Sequence, residues 1–397
     1  MKKDIDVCII GGCGHVGLPL GIAFADKGKR VALYDINTKA IDIVNSGTMP
    51  LKEDGAKAVL KRVLQKKKLH ATNDPEVIRR SAAIVVVLGT PVDEHFSPEI
   101  KVILRGIKEI ESYLSGEQLL ILRSTLYPGV TERVASYLKK NNKKTLVACC
   151  PERITEGNAL MELYELPQIV SGCTERAEKQ AAALFKVIAR RVVFLSPTEA
   201  ELAKLFANTW RYINFAVSNQ FYEIAASTGS NFYRIHKAVT DEYPRLKSFA
   251  KAGLAAGPCL FKDTMQLSAL NSNNFTLGYS AMLINEGFPD FIVGSMKKKY
   301  DLSKMTVGLL GMAFKAESDD PRESLSYKLK KKLMLEAKEV LCHDPYVKDP
   351  NLVSLDQIRK DADVIVIAAP HKIYGKEKWA GKKLVDVWDF YNRGGTI

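Results

Sequence analysis

The sequence predicts an α/β chain in which two doubly wound domains are joined by a central helical domain built on one long spine helix. Three observations carry that expectation. Short, continuous apolar runs alternate with helical patterns over the first half, the pattern of a parallel sheet covered on both faces. No Pro or Gly interrupts the stretch between Pro197 and Gly229. From Met305 the strand–helix alternation returns. The 397 residues fit two to three domains of about 150 residues each, with boundaries drawn at 1–195, 196–300 and 301–397.

Taken in order, Ile5–Ile10, Arg30–Tyr34, Ala82–Leu88, Gln118–Arg123 and Thr145–Cys149 read as strands, with Ile169–Val170 and Val192–Leu195 beyond them. Glu99–Tyr113 and Glu132–Lys140 read as helices between strands. Ser196-Pro197-Thr198-Glu199 reads as a helix start, with Ser196 capping, Pro197 in the first helical position and Glu199 three residues after the cap. Helical patterns continue through the 230s, the 260s and Ala281–Lys297. Met305–Leu310, Glu339–His343, Ala362–Ala368 and Lys383–Asp386 then read as strands, with a helix over Arg322–Leu335.

Composition narrows the class. Hydrophobic residues make up 46% and charged residues 26%, which excludes a disordered chain, a collagen-like repeat and a coiled coil. The formal charge of +13 fits a polyanionic partner: nucleic acid, acidic lipid or a phosphorylated small molecule. Seven cysteines without a CxxC pair encode neither a disulfide framework nor a zinc ribbon, so no metal site is expected. A reducing cytosol is the expected home. Asp4, Asp6 and the glycines after Ile10 argue against a signal peptide, and no run of 18 apolar residues predicts a membrane span. The lysine clusters at 66–68, 297–299 and 330–332 read as solvated helix faces.

Gly12-Cys13-Gly14-His15-Val16-Gly17 follows a strand and opens a helix, the context that gives GxGxxG meaning. The first glycine permits the tight turn, the second lets backbone approach a pyrophosphate, and the third lets helix and strand pack closely. Asp35 ends the next strand, where a carboxylate accepts bonds from ribose hydroxyls and repels a 2′-phosphate. This is a Rossmann-like dinucleotide site, with NAD favoured over NADP. Gly89-Thr90-Pro91 and Ser124-Thr125 follow two further strand ends, where ligands bind in open α/β sheets.

Other residues carry chemistry more weakly when taken singly. Glu152, after Pro151, stands at a strand mouth where a carboxylate acts as a base or caps a helix, and Glu156 follows four residues later. Lys204 and Asn208 share one face of the spine helix and read as oxyanion donors or as surface residues. Cys259 precedes a predicted helix with Lys262 close by, a setting that favours a thiolate. The other six cysteines read as packing residues.

In this order the residues resemble the nucleotide-sugar 6-dehydrogenase family, which holds the UDP-glucose, UDP-N-acetylhexosamine and GDP-mannose dehydrogenases. The resemblance rests on GxGxxG with Asp35, Thr90-Pro91, Ser124-Thr125, Pro151-Glu152, Lys204 with Asn208, and Cys259 with Lys262-Asp263. It ends on Gly311-Met312-Ala313-Phe314-Lys315 and Asp320-Pro321-Arg322-Glu323-Ser324. It implies two NAD-dependent oxidations that turn a sugar C6 alcohol into a carboxylate. Cys259 would form a thiohemiacetal and then a thioester. Lys204 and Asn208 would stabilise the oxyanion, Asp263 would assist proton transfer, and Glu152 with Thr125 would serve hydrolysis. Gly12, Gly14, His15, Val16, Gly17, Asp35, Thr90, Pro91, Thr125, Glu156 and Arg322 would hold NAD. Glu152, Arg153, Lys204, Asn208, Lys315 and a partner subunit's copy of Arg245 would hold the nucleotide sugar. A homodimer or larger assembly around the spine helix is implied.

Two departures from the family pattern stand out. Ala256-Gly257-Pro258-Cys259 replaces the usual Gly-Gly-x-Cys, and Val385-Asp386-Val387-Trp388 stands where many members carry an arginine, leaving Arg393 to replace it. Pro151-Glu152-Arg153 with Glu156-Gly157 leans towards UDP-N-acetylmannosamine or UDP-N-acetylglucosamine, with UDP-glucose as the alternative. A two-electron hydroxyacid dehydrogenase needs neither Cys259 nor the last domain. A nucleic-acid-binding protein lacks any matching motif.

Overall fold

The computed structural model describes residues 3–254 and 257–397. The chain divides into two compact units, Met1–Ala207 and Asn208–Ile397, with the division inside one helix. The first unit holds a sheet of β1 (Ile5–Ile10), β2 (Val31–Tyr34), β3 (Leu69–Thr72), β4 (Ser81–Val86), β5 (Leu119–Leu122), β6 (Leu146–Cys149), β7 (Gln168–Gly172) and β8 (Val192–Phe194). The spatial order is β3-β2-β1-β4-β5-β6-β7-β8, and every neighbouring pair is parallel except β6 with β7.

The continuous apolar strands have a direct cause. Val7 and Ile9 of β1 pack into one core cluster with Leu18, Phe24 and Phe185, while Cys8 and Ile10 pack into another with Ile103 and Ile107. Both faces are therefore buried from Val7 onward, and the one polar residue of the strand, Asp6, sits near its start, where it accepts from Arg30. Chain order reverses around β1, where Ile10 is level with Tyr34 on one side and Val86 on the other. That register brings the glycine turn beside Asp35 and the chain after Val86, at the point where open sheets bind ligands.

The helix Pro197–Ser227 has the expected start. The Ser196 N–H donates to Glu199 Oε2 at 2.8 Å, and the Glu199 N–H donates back to Ser196 Oγ at 3.4 Å. Its 31 residues span about 46 Å at 1.5 Å each.

The second unit contains the helices Phe232–Thr240, Leu260–Leu270 and Thr276–Lys299 and a four-stranded parallel sheet. Its strands are β9 (Thr306–Leu310), β10 (Glu339–His343), β11 (Val364–Ile367) and β12 (Lys383–Val385), ordered β10-β9-β11-β12. This repeats the β2-β1-β4-β5 core of the first sheet at half its strand number. Gly311 has φ +91° and Gly11 φ +74°, and an added Cβ would overlap the carbonyl of Ala369 or Val87 respectively. Asp344 accepts from the Met312 and Ala313 N–H groups much as Asp35 accepts from Cys13. The second copy is closed, however. Asp344 also accepts from Tyr346 and Val347, and the fully buried His371 lies 3.0 Å from it.

Three elements differ from expectation. The edge strand β3 went unpredicted because it is four residues long and exposes His70, so it carries no apolar run. The helix expected from Arg322 begins at Leu325, capped by Ser324, because Asp320 draws the Arg322 backbone and side chain into a turn. Lys66–Lys68 lie beyond the end of the helix Ala56–Gln65 rather than on its face.

Candidate active site

In the first unit the glycines divide by what surrounds them. A Cβ on Gly12 would meet Leu33 Cβ at 2.7 Å, and one on Gly17 would overlap the Gly11 carbonyl. On Gly14 the nearest atom would be 3.7 Å away. Two glycines thus serve close packing, and the middle one leaves its backbone approachable. The helix Gly17–Asp26 starts with no side chain capping its first turn and no acidic residue in it, so its N–H groups favour phosphate. Asp35 accepts from Cys13 N–H at 2.9 Å and Asn37 N–H at 3.0 Å, one bond on each oxygen. A carboxylate has about four acceptor sites, so two remain for ribose hydroxyls. The residues fit a dinucleotide.

That fit sets an expected result. Asp35→Ala should raise the KM for NAD and narrow the preference over NADP, because the hydroxyl acceptors and the charge that repels a 2′-phosphate go together. Initial rates with both cofactors check this, and equal use of the two by the unmodified protein contradicts it.

Ser124 joins two of the predicted loops: its Oγ accepts from Leu88 N–H at 2.8 Å, setting the chain that leads to Thr90-Pro91 beside Thr125. Glu201, 1% exposed on the long helix, accepts from Gly129 N–H, Thr131 N–H and Thr131 Oγ. It ties the start of the helix Val130–Lys140 to the helix that carries Lys204, which is itself buried. Glu53 accepts from Gly157 and Leu160 N–H, both at 3.0 Å, and Glu162 accepts from Thr155 N–H at 2.6 Å. The segment around the half-buried Glu156 is therefore held by carboxylates at each end.

Glu152 is 6% exposed. Its Oε1 accepts from Arg153 and Ile154 N–H, and its Oε2 pairs with the Arg123 guanidinium. The Arg153 side chain turns to the Pro167 carbonyl, and burial lowers its pKa.

In the second unit, Cys259 is the N-cap of the helix Leu260–Leu270 and is exposed, whereas Cys8, Cys13, Cys149, Cys150 and Cys342 are buried. Burial, followed by the charge of Asp35, pushes the Cys13 thiol up to about 12. Cys173 is partly buried and likewise pushed up, to about 11. Asp263 is fully buried; its two oxygens accept from Asn208 Nδ2 and Lys262 Nζ, each at 2.6 Å. It orients an amide and an amine close to the cysteine, and the second Asn208 N–H is available to another acceptor.

The chain before Cys259 packs on the segment that the sequence singled out fifty residues later. Gly257 has φ +110°, and a Cβ there would meet the Phe314 ring at 2.5 Å. Its N–H points to the Glu323 carbonyl at 3.4 Å. Lys315 Nζ lies 6.0 Å from the centre of the Phe314 ring, and Arg322 forks onto the Asp320 carboxylate. Trp388 fills the face of Gly253, which has no room for a side chain, and donates to the Ala368 carbonyl at 3.0 Å. The stretch Ser248–Gly253 is held through its backbone by Asn214, Ser218, Asn219, Tyr233 and His236. Arg393 is exposed. Ala256 lies outside the described residues.

Arg245 sits in the single turn Pro244–Leu246 and donates to Tyr243 Oη at 3.0 Å. It lines an apolar groove of about 670 Å³ with Trp210, Val217, Phe221, Ile224 and Ile235.

Arg123, Glu53 and Glu201 were not singled out from the sequence. Only Arg123 left a signal: a cation at the end of a wholly apolar strand. No helix is long and apolar enough to cross a membrane among the described residues.

Comparison with known proteins agrees with the geometry of both units. Models of the UDP-glucose/GDP-mannose dehydrogenase family match residues 5–189 as its NAD binding domain, 198–286 as its central domain and 308–393 as its UDP binding domain. A UDP-N-acetyl-D-mannosamine dehydrogenase of Pyrococcus horikoshii is 32% identical over 93% of this chain and 90% of its own length. One of Campylobacter jejuni is 29% identical over 94% and 97%. A solved structure of the Pyrococcus horikoshii UDP-D-ManNAc dehydrogenase superposes with a TM-score of 0.88 at 31% identity, covering 96% of this chain and 93% of that one. A UDP-glucose dehydrogenase from Pyrobaculum islandicum also gives 0.88, at 25% identity and 97% and 94% coverage.

Proposed function

The chain belongs to the UDP-glucose/GDP-mannose dehydrogenase family, as an NAD-dependent nucleotide-sugar dehydrogenase, and we propose that it oxidises a UDP-N-acetylhexosamine, UDP-N-acetylmannosamine first, to the uronic acid. The observation that carries this reading is Cys259: an exposed thiol at a helix start, beside the Asn208–Asp263–Lys262 network, in a loop packed on Phe314. The relatives named above support the choice of sugar. UDP-glucose is the competing substrate, and the Pyrobaculum islandicum structure favours including it in any panel.

When bound, NAD supplies the hydride acceptor for both oxidations. Gly12, Gly14, His15, Val16, Gly17 and Asp35 would hold it, with Thr90, Pro91, Thr125, Glu156 and Arg322 as its further binding residues. Lys315 and Arg153 serve the nucleotide sugar. Cys259 adds through sulfur to the aldehyde carbon, giving a thiohemiacetal whose oxygen Lys204 and Asn208 stabilise. Loss of a second hydride leaves a thioester, which is more open to water than an oxygen ester. Asp263, fully buried, positions Asn208 and Lys262 through one bond on each oxygen, and assists water and proton transfer through them. Glu152 receives the water proton and Thr125 orients the water. A panel of nucleotide sugars scored by NADH formation tests the reading; no NADH with any UDP-sugar contradicts it.

The same reading includes a homodimer. Trp210, Phe221 and Ile224 are 61%, 50% and 54% exposed along one helix, and a second copy of this apolar groove suits them better than water. Phe221→Asp with Ile224→Asp should give a monomer in sedimentation, and Arg245→Ala should raise the nucleotide-sugar KM about tenfold with the NAD KM unchanged. An unmodified protein that is fully active as a monomer contradicts this.

A further inference from the structure

Arg123 is fully buried at the end of β5. A guanidinium this deep must be compensated, and its partners are specific. Nη1 donates to the Cys150 carbonyl at 3.0 Å, Nη2 to Gln168 Oε1 at 3.0 Å and to Glu152 Oε2, and the charge lies 4.8 Å from the Phe185 ring centre. A buried ion pair of this kind adds little net stability over well-packed apolar side chains, so fold alone is a weak reason for it. Its location is informative: Glu152 stands at the mouth of β6 and Arg123 at the mouth of β5, where this sheet presents its reactive groups.

The lone-pair count on Glu152 is equally specific. Oε1 takes the N–H groups of Arg153 and Ile154 at 2.6 and 2.9 Å, and Oε2 takes Arg123. Three of about four acceptor sites are filled, and the one left is on Oε2. The carboxylate cannot turn without breaking its bonds to the backbone or to Arg123.

We propose that Arg123 is a positioning residue for the hydrolytic step: it compensates the buried Glu152 charge and fixes Oε2 so that its one open acceptor site faces the attacking water. This rests on the reading of Glu152 as the base given above. In that step water adds to the thioester carbonyl carbon and its proton passes to Glu152. The tetrahedral adduct then collapses, breaking the carbon–sulfur bond and releasing the Cys259 thiolate and the carboxylic acid, and Glu152 returns the proton to solvent. Without Arg123 a buried carboxylate swings to water or takes up a proton, and in both cases stops serving. Formation of the thioester does not use Glu152, so it should be spared.

The test follows NADH formation by stopped flow and the Cys259 adduct by intact mass, with full-length protein and the best UDP-sugar of the panel. Arg123→Met should slow hydrolysis about 100-fold, so that the adduct accumulates on Cys259, while at saturating nucleotide sugar the rate of the first NADH stays within twofold. Arg123→Lys keeps the charge but loses the fork, and should rescue most of the loss, leaving hydrolysis about tenfold slow. If the Met variant does not fold, the Lys variant decides: hydrolysis at the unmodified rate overturns the proposal. It is also overturned if Arg123→Met hydrolyses normally, or if every step falls together. Two NADH per sugar from the unmodified protein, alongside either result, sinks the role of Arg123 alone. One NADH per sugar sinks the reaction and this role with it.

Discussion

Replacing Cys259 by alanine is expected to abolish carboxylate formation, with a fall of at least about a thousandfold in uronate released. The second oxidation needs a carbon bearing both hydrogen and a tetrahedral oxygen, and sulfur addition to the aldehyde provides it covalently. No other cysteine can stand in. Cys13 and Cys173 are held as thiols by burial, and Cys8, Cys149, Cys150 and Cys342 are buried in the packed interior. Binding of NAD should survive, because the glycine turn and Asp35 belong to the other compact unit. Chromatography of the products checks the loss, and titration of NAD by fluorescence checks the survival. Normal uronate from Cys259→Ala contradicts the assignment.

The second large effect is expected at Lys204. Its ammonium sits on the long helix with only 8% of the residue exposed, where a charge acts far more strongly on a developing oxyanion than it would in water. Lys204→Met keeps most of the apolar stem and removes the charge. The kcat should fall about 100- to 1,000-fold, the range seen when one oxyanion donor is lost, with the nucleotide-sugar KM changed less than threefold. A raised KM at unchanged kcat would instead make Lys204 a ground-state contact.

The parts of this protein that could be read from its sequence are those set by local chemistry. Gly12, Gly14 and Gly17 with Asp35 announce the dinucleotide turn because their spacing is fixed locally: Gly17 packs on the Gly11 carbonyl, and Gly14 leaves its backbone approachable. The capping box of Ser196 and Glu199 announces the long helix for the same reason. The inner strands of the first sheet read as apolar runs because both faces are buried. What escaped depends on partners far along the chain. Arg123 meets a carboxylate 29 residues later, and Glu53 meets amides more than 100 residues later. An isolated Glu gives no sign of the loop it will hold. Gly11 lies outside the GxGxxG spacing, and its left-handed backbone against Val87 is set by the chain 76 residues later, just past β4. Asp263 stands out in the sequence only as part of a motif, and its full burial and its bonds to Asn208 and Lys262 depend on the folded chain.

The proposed reaction is a four-electron oxidation, and the number of NADH molecules formed per nucleotide sugar consumed tests that most directly. With limiting UDP-N-acetylmannosamine, excess NAD and the unmodified protein, absorbance at the end of the reaction should correspond to two NADH per sugar, with no aldehyde trapped by a hydrazine reagent. One NADH per sugar, with the aldehyde recovered, would contradict the thioester, the role of Cys259 and the uronic acid product together.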